Sequence, residues 1–253
     1  MRTIVVTGSG SGLGAAIGRR LEKEDVRIIG IDIHGAEIEA DLGTSKGREH
    51  AISASLEASA GRLDGVVSCA GVGPYGEAKD ITRVNYFGAI EMLDGLLDAL
   101  AKGEAPAAVA ISSVGGAVQA LAIPEFLDAC HTGDESLAQQ IMDGKDGNTA
   151  YVNAKRALAQ ACRRRAEKWG QRGVRLNIVA PGTMETPMLD KLLADPDHAP
   201  AIRALPVPLG RSAPVEEVAS TVAFLLGPDA RYVHGAVLFV DGGAQAVMYP
   251  DQI

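Results

Sequence analysis

A phenol and an ammonium stand four positions apart in this sequence, as the side chains of Tyr151 and Lys155. They begin a stretch with helical patterning, so both side chains project from one face of a helix. Groups of this kind take part in proton transfer. Such a pair also arises by chance, and its meaning depends on its neighbours. Ser112 and Ser113 end a short apolar strand, and α/β sheets hold their ligands at that end.

A glycine-rich turn follows the first strand and opens a helix, since residues 7–14 read Thr-Gly-Ser-Gly-Ser-Gly-Leu-Gly. Glycine permits a sharp turn and lets backbone amides approach a pyrophosphate closely. The free N–H groups and the dipole of the following helix favour that anion. Tight turns also use glycine for purely structural reasons. Here the turn has the strand–turn–helix context that a dinucleotide site requires, and it predicts such a site.

Asp32 supports the same interpretation. It ends the second apolar run and lies 24 positions after Gly8 (32 − 8). A carboxylate there accepts hydrogen bonds from both ribose hydroxyls and repels a 2′-phosphate, so NAD is favoured over NADP. The alternative is an ordinary solvated aspartate at a strand end.

Short β-branched runs alternate with longer helical stretches, which is typical of βαβ units around a parallel sheet. The near-continuous apolar character of the runs indicates that both faces of the sheet are covered. The predicted strands are residues 3–7, 27–33, 65–69, 107–112, 175–180 and 237–240. The predicted helices are residues 12–23, 46–60, 84–101, 149–169 and 215–226.

Two stretches interrupt this alternation. Residues 114–148 contain a partly helical segment, and residues 182–211 combine five prolines with leucine and methionine. Long connections with apolar residues of their own are more often functional lids than linkers. No repeat or linker composition divides the chain, so we expect one α/β domain over residues 1–253.

The composition argues against several classes of function. A formal charge of -8 and a pI of about 5.2 do not favour a nucleic-acid partner or an anionic membrane surface. Three widely spaced cysteines without metal-ligand spacing predict buried free thiols and no metal site. The start of the chain suggests no targeting segment, and no apolar run is long enough to span a bilayer. We therefore expect a cytoplasmic protein.

Taken together, the motifs resemble those of the short-chain dehydrogenase/reductase family across the whole chain. The matching elements are the glycine turn, Asn85, Ser112-Ser113, Tyr151-x-x-x-Lys155, Asn177-x-x-x-Pro181-Gly182 and Asp241-Gly242-Gly243. The resemblance implies a doubly wound sheet of seven parallel strands, that is, a Rossmann fold. It also implies hydride transfer between NAD and a secondary alcohol or ketone.

The resemblance further implies a catalytic set of Asn85, Ser113, Tyr151 and Lys155. Tyr151 is then the general acid/base, and the Lys155 ammonium and the nicotinamide cation lower its pKa from about 10. Lys155 also binds the nicotinamide ribose, Ser113 holds the reacting oxygen, and Asn85 orders a water that relays protons. Ser112 is the rival for the serine role, because adjacent strand residues face opposite sides. Family position favours Ser113.

The glycine turn, Asp32 and the resemblance together predict the cofactor site. Its residues are Gly8, Ser11, Gly12, Leu13, Asp32, Asp41, Leu42, Ala70, Gly71, Tyr151, Lys155, Thr183 and Thr186. One departure from the family pattern falls here: Cys69 stands where the family usually has asparagine. Cys69 cannot make the hydrogen bonds of an amide, so local support for the cofactor must differ.

A second departure concerns the substrate. The 38 positions between Ser113 and Tyr151 exceed the usual family separation, which makes residues 114–148 an insertion beside the active site. With this insertion and four short motifs, the chain is similar to the branch of the family that contains bacterial 3α-hydroxysteroid dehydrogenase/carbonyl reductases. The motifs are Asp41-Leu42, Tyr86-Phe87-Gly88, Pro106-Ala107-Ala108-Val109 and Tyr232-Val233-His234-Gly235. This similarity implies a hydrophobic alcohol or ketone substrate. Candidate walls of an apolar pocket are Leu121, Ile123, Phe126, Leu127, Met184, Met188, Leu189, Leu192 and Leu193. The alternative is that most of them simply pack small helices.

Other functions stay open at this point. The substrate is alternatively a smaller alcohol or a 3-oxoacyl compound, or the protein is a catalytically silent NAD-binding scaffold. The resemblance also implies a homodimer or homotetramer, and the insertion precedes the helix that commonly forms a subunit contact in the family.

Overall fold

The computed structural model describes residues 1–252, in which seven strands form one parallel sheet. The strands are β1 (Arg2–Thr7), β2 (Val26–Asp32), β3 (Ile38–Glu39), β4 (Gly65–Ser68), β5 (Ala107–Ile111), β6 (Arg175–Pro181) and β7 (Val237–Val240). Their order across the sheet is β3-β2-β1-β4-β5-β6-β7. The strands β2 and β3 are added on one side of β1, and the strands from β4 onward are added on its other side. This change of side leaves a crevice at the carboxyl ends of β1 and β4.

The predicted doubly wound sheet and its seven strands are confirmed. Six strands lie within two residues of their predicted bounds. The sequence pattern did not reveal β3, because a strand of two residues, Ile38 and Glu39, is too short to show periodicity. It pairs only with the end of β2, at the edge of the sheet.

Twelve α-helices surround the sheet within the described residues. They are α1 (Gly12–Glu22), α2 (Ser45–Ala58), α3 (Ala78–Thr82), α4 (Ala89–Leu100), α5 (Pro124–Thr132), α6 (Glu135–Met142), α7 (Gly147–Arg164), α8 (Ala166–Gln171), α9 (Pro187–Ala194), α10 (Ala199–Arg203), α11 (Val215–Leu226) and α12 (Ala244–Met248). Two predictions need correction. The helix predicted over 84–101 begins with a π-helical turn, Arg83–Gly88, and the one predicted over 149–169 divides at Arg165.

Each face of the sheet has its own apolar core. On one face α1 and α11 pack together, with Ile17 and Val222 fully buried. On the other face lie α2, α4 and α7, where Leu96 and Leu158 are buried. Because both faces are covered, the strands are apolar along nearly their whole length, as parallel sheets require.

The stretch 114–148 is partly helical, as predicted, and it packs onto the second face. It contains two 3₁₀ turns followed by α5 and α6. Phe126 is fully buried there, and the Tyr86 hydroxyl donates a hydrogen bond of 2.6 Å to the Cys130 carbonyl. These helices are therefore part of the core and not a detachable addition.

A buried arginine links this stretch to the sheet's flank. The Arg48 side chain is 2% exposed and pairs with Glu91 on α4 and Glu135 on α6, each at 2.7 Å. Its guanidinium also donates to the Ser45 hydroxyl at 3.2 Å and to the Leu42 carbonyl at 3.4 Å. One cation thus holds three helices and the chain segment before α2.

The three cysteines, Cys69, Cys130 and Cys162, are free thiols. No helix within residues 1–252 is long and apolar enough to cross a membrane. The same part of the chain has no group of three or more histidine, cysteine, aspartate or glutamate side chains placed to hold a metal ion.

We predict that Arg48→Met lowers the free energy of unfolding by about 2–3 kcal/mol, because removing one partner leaves two partly buried carboxylates uncompensated. Urea unfolding, followed by circular dichroism, measures the change. Arg20→Met is the control, since Arg20 forms an exposed pair with Glu24, and it should cost under about 0.5 kcal/mol. Equal losses in the two variants would contradict the stabilising role of the Arg48 network.

Candidate active site

The glycine turn brings the backbone of β1 against that of the loop after β4. Gly8 and Gly12 have positive φ angles of 69° and 49°. A Cβ atom at Gly8 would lie 2.8 Å from the Ala70 Cα, and one at Gly14 would lie 2.0 Å from the Gly8 carbonyl oxygen. Only glycine fits at these positions, and it lets the turn pass directly over the carboxyl ends of β1 and β4.

The first turn of α1 offers unpaired backbone donors. Its N-cap residue, Ser11, makes no side-chain capping bond, and the first helical hydrogen bond runs from the Ala15 N–H to the Ser11 carbonyl. The N–H groups before Ala15 have no acceptor within the helix, and the helix dipole is positive at this end. This geometry favours an anion such as a phosphate.

Asp32 stands beside this turn, at the end of β2. Its Oδ2 accepts a hydrogen bond from the Gly10 N–H at 2.9 Å, and its Oδ1 accepts one from the Ile33 N–H at 2.7 Å. These bonds fix the carboxylate, and each oxygen retains a lone pair. Asp32 therefore faces the cleft as an oriented, negatively charged hydrogen-bond acceptor.

Thr7 supplies the local support that Cys69 cannot give through its side chain. The Thr7 hydroxyl oxygen accepts hydrogen bonds from the Cys69 N–H at 2.9 Å and from the Ala70 N–H at 3.0 Å. Burial raises the pKa of the Cys69 thiol to about 12, so it stays protonated and unreactive. The sequence analysis missed the role of Thr7; the signal available in the sequence is a hydroxyl residue at the end of an apolar strand, directly before the glycine turn.

Tyr151 and Lys155 lie on the first turns of α7 and both line the cleft. The Lys155 Nζ is 5.9 Å from the centroid of the Tyr151 ring and donates a hydrogen bond of 2.8 Å to the Ile111 carbonyl. Lys155 is 4% exposed, and burial lowers the pKa of its ammonium to about 8. The group is charged at neutral pH and keeps two further N–H donors.

The two serines after β5 have different partners. The Ser112 hydroxyl is buried and donates to the Lys155 carbonyl at 2.8 Å, which ties α7 to the sheet. The Ser113 hydroxyl accepts from the Gly115 N–H at 3.1 Å and lies close enough to the Tyr151 phenol to affect its pKa. Ser113 is thus the serine paired with the tyrosine.

The pKa of Tyr151 is raised above its usual range. Burial is the main cause, because it disfavours the phenolate, and the nearby Ser113 hydroxyl opposes this rise in pKa only in part. The sequence analysis expected a lowered pKa from the Lys155 ammonium and a nicotinamide cation. In the protein chain itself desolvation outweighs the neighbouring groups, so the phenol is protonated at neutral pH.

Asn85 lies behind the cleft rather than in its wall. Its side-chain amide is fully buried and makes two hydrogen bonds with Val72, accepting from the N–H at 2.7 Å and donating to the carbonyl at 2.9 Å. It belongs to the π-helical turn, a feature often found at functional sites. A Cβ on Gly71 would lie 3.2 Å from the Asn85 Oδ1 and 3.5 Å from the Lys155 Nζ, so the Asn85 amide and the Lys155 ammonium both lie next to Gly71.

These groups surround one cleft of about 480 Å³, which is a usual size for a ligand site. All the predicted cofactor-binding residues line it except one: Gly8, Ser11, Gly12, Leu13, Asp32, Asp41, Leu42, Ala70, Gly71, Tyr151, Lys155 and Thr186. The exception is Thr183, whose hydroxyl accepts a hydrogen bond of 3.0 Å from Ser212 and does not reach the cleft lining.

The far end of the cleft differs from the expected apolar wall. Met184 and Met188 line it as proposed, but the other seven candidates do not: Leu121, Ile123, Phe126, Leu127, Leu189, Leu192 and Leu193. Ile123, Phe126 and Leu127 pack onto the core instead, and Leu121 is half-buried in a 3₁₀ turn. For the insertion the packing alternative holds. The sequence analysis missed Tyr75 and Lys191, which also line this end.

The cleft fits a dinucleotide. The N-terminus of α1 has free N–H groups that could hold a pyrophosphate, and the oriented carboxylate of Asp32 could hold a ribose. Tyr151 and Lys155 line the same cleft.

Two family models match the chain. The model described as short chain dehydrogenase matches residues 2–125, and the model described as Enoyl-(Acyl carrier protein) reductase matches residues 135–245. Between them they cover both sides of the cleft.

Several known proteins match over the full length. The chain is 45% identical to a 3-alpha-hydroxysteroid dehydrogenase/carbonyl reductase of Comamonas testosteroni, covering 100% of both chains. A crystal structure of the 3-alpha-hydroxysteroid dehydrogenase from Pseudomonas sp. B-0831 complexed with NADH superposes with a TM-score of 0.96 at 43% identity, covering 99% of this chain and 100% of that one. Levodione reductase is more distant, with a TM-score of 0.76 at 26% identity and coverage of 97% and 98%. With this fold, these motifs and these relatives, the chain belongs to the short-chain dehydrogenase/reductase family.

Proposed function

We propose that the chain is an NAD-dependent oxidoreductase that interconverts a secondary alcohol and a ketone on a hydrophobic substrate, a 3α-hydroxysteroid or another bulky carbonyl compound. The observation that carries the proposal is the placement of Ser113, Tyr151 and Lys155 in the wall of the cleft that holds the glycine turn. The two relatives above 40% identity, which carry the name of a 3-alpha-hydroxysteroid dehydrogenase, support the substrate class.

In this proposal NAD, when bound, accepts or supplies the hydride, and the protein provides position and electrostatics. The N-terminus of α1 holds its pyrophosphate, and Asp32 binds a ribose through its fixed carboxylate. Asp41, Leu42, Ala70 and Gly71 complete the wall around the nucleotide, with Thr186 across from Gly12. Thr183 is left out of this set because its hydroxyl bonds Ser212.

Tyr151 gives its phenolic proton to the ketone oxygen during reduction and takes it back during oxidation. The raised pKa of Tyr151 in the protein chain keeps the phenol protonated, which suits the donor role. Ser113 hydrogen-bonds the same oxygen, where negative charge develops in the transition state. Ser112 is excluded from this role because its hydroxyl bonds the Lys155 carbonyl.

Lys155 binds the nicotinamide ribose and favours the phenolate of Tyr151 through its charge. One of its three N–H donors is used by the Ile111 carbonyl, which leaves two for ligand and solvent. Asn85 fixes the Val72 backbone beside Gly71, and its side-chain amide lies next to Gly71, as the Lys155 ammonium does. Its Oδ1 retains a lone pair for a water that passes protons to Lys155.

A homodimer or homotetramer in the cytoplasm completes the proposal. The support for self-association is a set of exposed apolar side chains on β7 and on the segments directly before and after it in the chain: Phe224, Tyr232, Leu238 and Val247. Monomeric proteins rarely leave large apolar patches uncovered.

A turnover screen over steroids, cyclic ketones and short aliphatic alcohols tests the substrate class with NADH and NAD. Turnover of bulky cyclic substrates supports the proposal, and turnover of short alcohols or 3-oxoacyl compounds alone would replace it with the smaller-substrate alternative. Cofactor binding without any turnover would identify a silent scaffold.

We predict that Tyr151→Phe lowers kcat by about a hundred- to ten-thousandfold, because the proton donor is lost. NADH affinity, measured by fluorescence titration, should be unchanged. Tyr75→Phe is the matched control: it removes a hydroxyl from the same cleft but not the proposed acid, and it should retain most of the rate. Full activity of Tyr151→Phe would exclude Tyr151 as the acid/base.

The binding of NADH should weaken as the pH rises above about 8. Burial lowers the pKa of Lys155 to about 8, so its ammonium is present below that pH and lost above it. The dissociation constant measured by fluorescence from pH 6 to 10 should be flat at first and then rise. Lys155→Met should bind weakly throughout and show no step near pH 8; a step that persists in this variant would assign it to another group.

Asp32→Asn should weaken NADH binding by about tenfold and improve binding of NADPH, because a charge-assisted hydrogen bond contributes about 1.5–3 kcal/mol and the charge repels a 2′-phosphate. Titration with both nucleotides measures the ratio. Asp41→Asn serves as the control, since Asp41 lines the same cleft but bonds the Gly43 N–H. Unchanged selectivity in Asp32→Asn would dismiss the proposed role.

A further inference from the structure

A second lysine lines the cleft, outside the group formed by Ser113, Tyr151 and Lys155. Lys191 lies on α9, is exposed, and holds its ammonium 5.3 Å from the centroid of the Tyr75 ring. It makes no ion pair with a carboxylate anywhere in residues 1–252. A cation over an aromatic ring is held by the ring's negative face, but its charge is not neutralised.

The charges in the cleft are divided between its ends. The two carboxylates, Asp32 and Asp41, belong to the nucleotide end and accept bonds from backbone N–H groups there. Met188 lies beside the Tyr75 ring that carries Lys191, since a Cβ on Gly73 would lie 2.6 Å from the Tyr75 Cε1 and 3.1 Å from the Met188 Cγ. An apolar wall with one unneutralised positive charge recognises a ligand that is apolar along its length and anionic at one point.

Tyr75 connects this cation to the reaction centre. Tyr75, Tyr151 and Lys191 line the same cleft, and the Lys191 Nζ lies 5.3 Å from the centroid of the Tyr75 ring. The Tyr75 phenol also adds slightly to the rise in the pKa of Tyr151. A substrate that reaches from Tyr151 to Lys191 within this cleft passes close to the Tyr75 ring.

The pyrophosphate is not the partner that this geometry favours for Lys191. A Cβ on Gly12, in the anion-binding turn, would lie 3.8 Å from the Thr186 Cγ2, so Thr186 is the part of this segment nearest the turn. Lys191 is five residues further along the chain, which is about 7.5 Å along a helix axis. The Lys191 ammonium is instead held at the Tyr75 ring.

We propose that Lys191 selects ketone and alcohol substrates that carry a carboxylate at the end away from the reacting carbon. The carbonyl lies at Tyr151 and Ser113, the apolar body lies against Met184 and Met188, and the carboxylate pairs with the Lys191 ammonium. This inference rests on the proposed function and adds the charge of the substrate to it.

The test uses ketones supplied both as free carboxylates and as methyl esters: 4-oxocyclohexanecarboxylate, and a 3-oxosteroid whose side chain ends in a carboxyl group. Lys191→Met removes the charge and keeps the length of the side chain, whereas Lys191→Arg keeps the charge. The ratio of kcat/KM for acid to that for ester should fall about two- to fivefold in Lys191→Met, as expected for one exposed ion pair, and persist in Lys191→Arg. Added salt should lower the ratio in wild type and in Lys191→Arg but not in Lys191→Met.

Tyr75 provides an independent variant. Tyr75→Leu removes the ring that holds the ammonium and should reduce the acid-to-ester ratio, whereas Tyr75→Phe keeps the ring and the ratio. A merely structural effect of Tyr75→Leu would lower turnover of acid and ester equally, which would count against the proposal.

The outcomes separate this inference from the proposed function. Turnover of both forms with the same ratio in wild type and Lys191→Met overturns the role of Lys191 alone. A raised dissociation constant for NADH in Lys191→Met, with equal losses for acid and ester, would assign the lysine to the cofactor instead. Absence of turnover for every ketone overturns the proposed function and this inference with it.

Discussion

A buried ammonium is the constraint around which the site is arranged. Lys155 is almost fully buried at the end of β5, where burial lowers its pKa and one hydrogen bond to the Ile111 carbonyl holds it. A charge in that position is costly unless its remaining donors find partners. The Ser112 hydroxyl also ties α7 to the sheet through its hydrogen bond to the Lys155 carbonyl, and Tyr151, one helical turn before Lys155, lies near Ser113. The Tyr151 phenol, the Ser113 hydroxyl and the Lys155 ammonium keep one geometry because these hydrogen bonds of Lys155 and Ser112 hold α7 against β5.

The nucleotide end depends on a different kind of contact, the direct approach of two backbone segments. The Thr7 hydroxyl accepts two N–H groups of the loop after β4, and Gly8 passes over that loop without room for a Cβ atom. These contacts of Thr7 and Gly8 lie between β1 and β4, where the order of strands reverses, so they form the floor of the crevice. It also explains why Cys69 is tolerated at this point: the hydrogen bonds come from its backbone, and its thiol stays protonated. Support for a cofactor at this position does not require an amide side chain.

The parts of the site that the sequence predicted are those set by local spacing. The glycine turn, Asp32 at a strand end and the Tyr151–Lys155 pair each follow from a few neighbouring positions, and all of them line the cleft. The missed or mistaken parts depend on long-range packing. Thr183 bonds Ser212 instead of facing the cleft, and β3 is too short to produce a pattern. The contact between Tyr75 and Lys191 joins a loop to helix α9, which lies more than a hundred positions away in the sequence, and periodicity within either segment carries no information about it.

The insertion shows how packing changes a functional interpretation. Its apolar residues were candidates for a substrate wall, but Phe126 is fully buried in the core and Arg48 links α6 to α2 and α4. Because Arg48 also bonds the Leu42 carbonyl, the insertion contacts the nucleotide end of the cleft through this arginine and has no side chain in the substrate end. The substrate end is left to α9 and the loop that carries Tyr75. The chemistry of the substrate must therefore be read from those two segments, where methionines supply an apolar surface and a lysine supplies the charge.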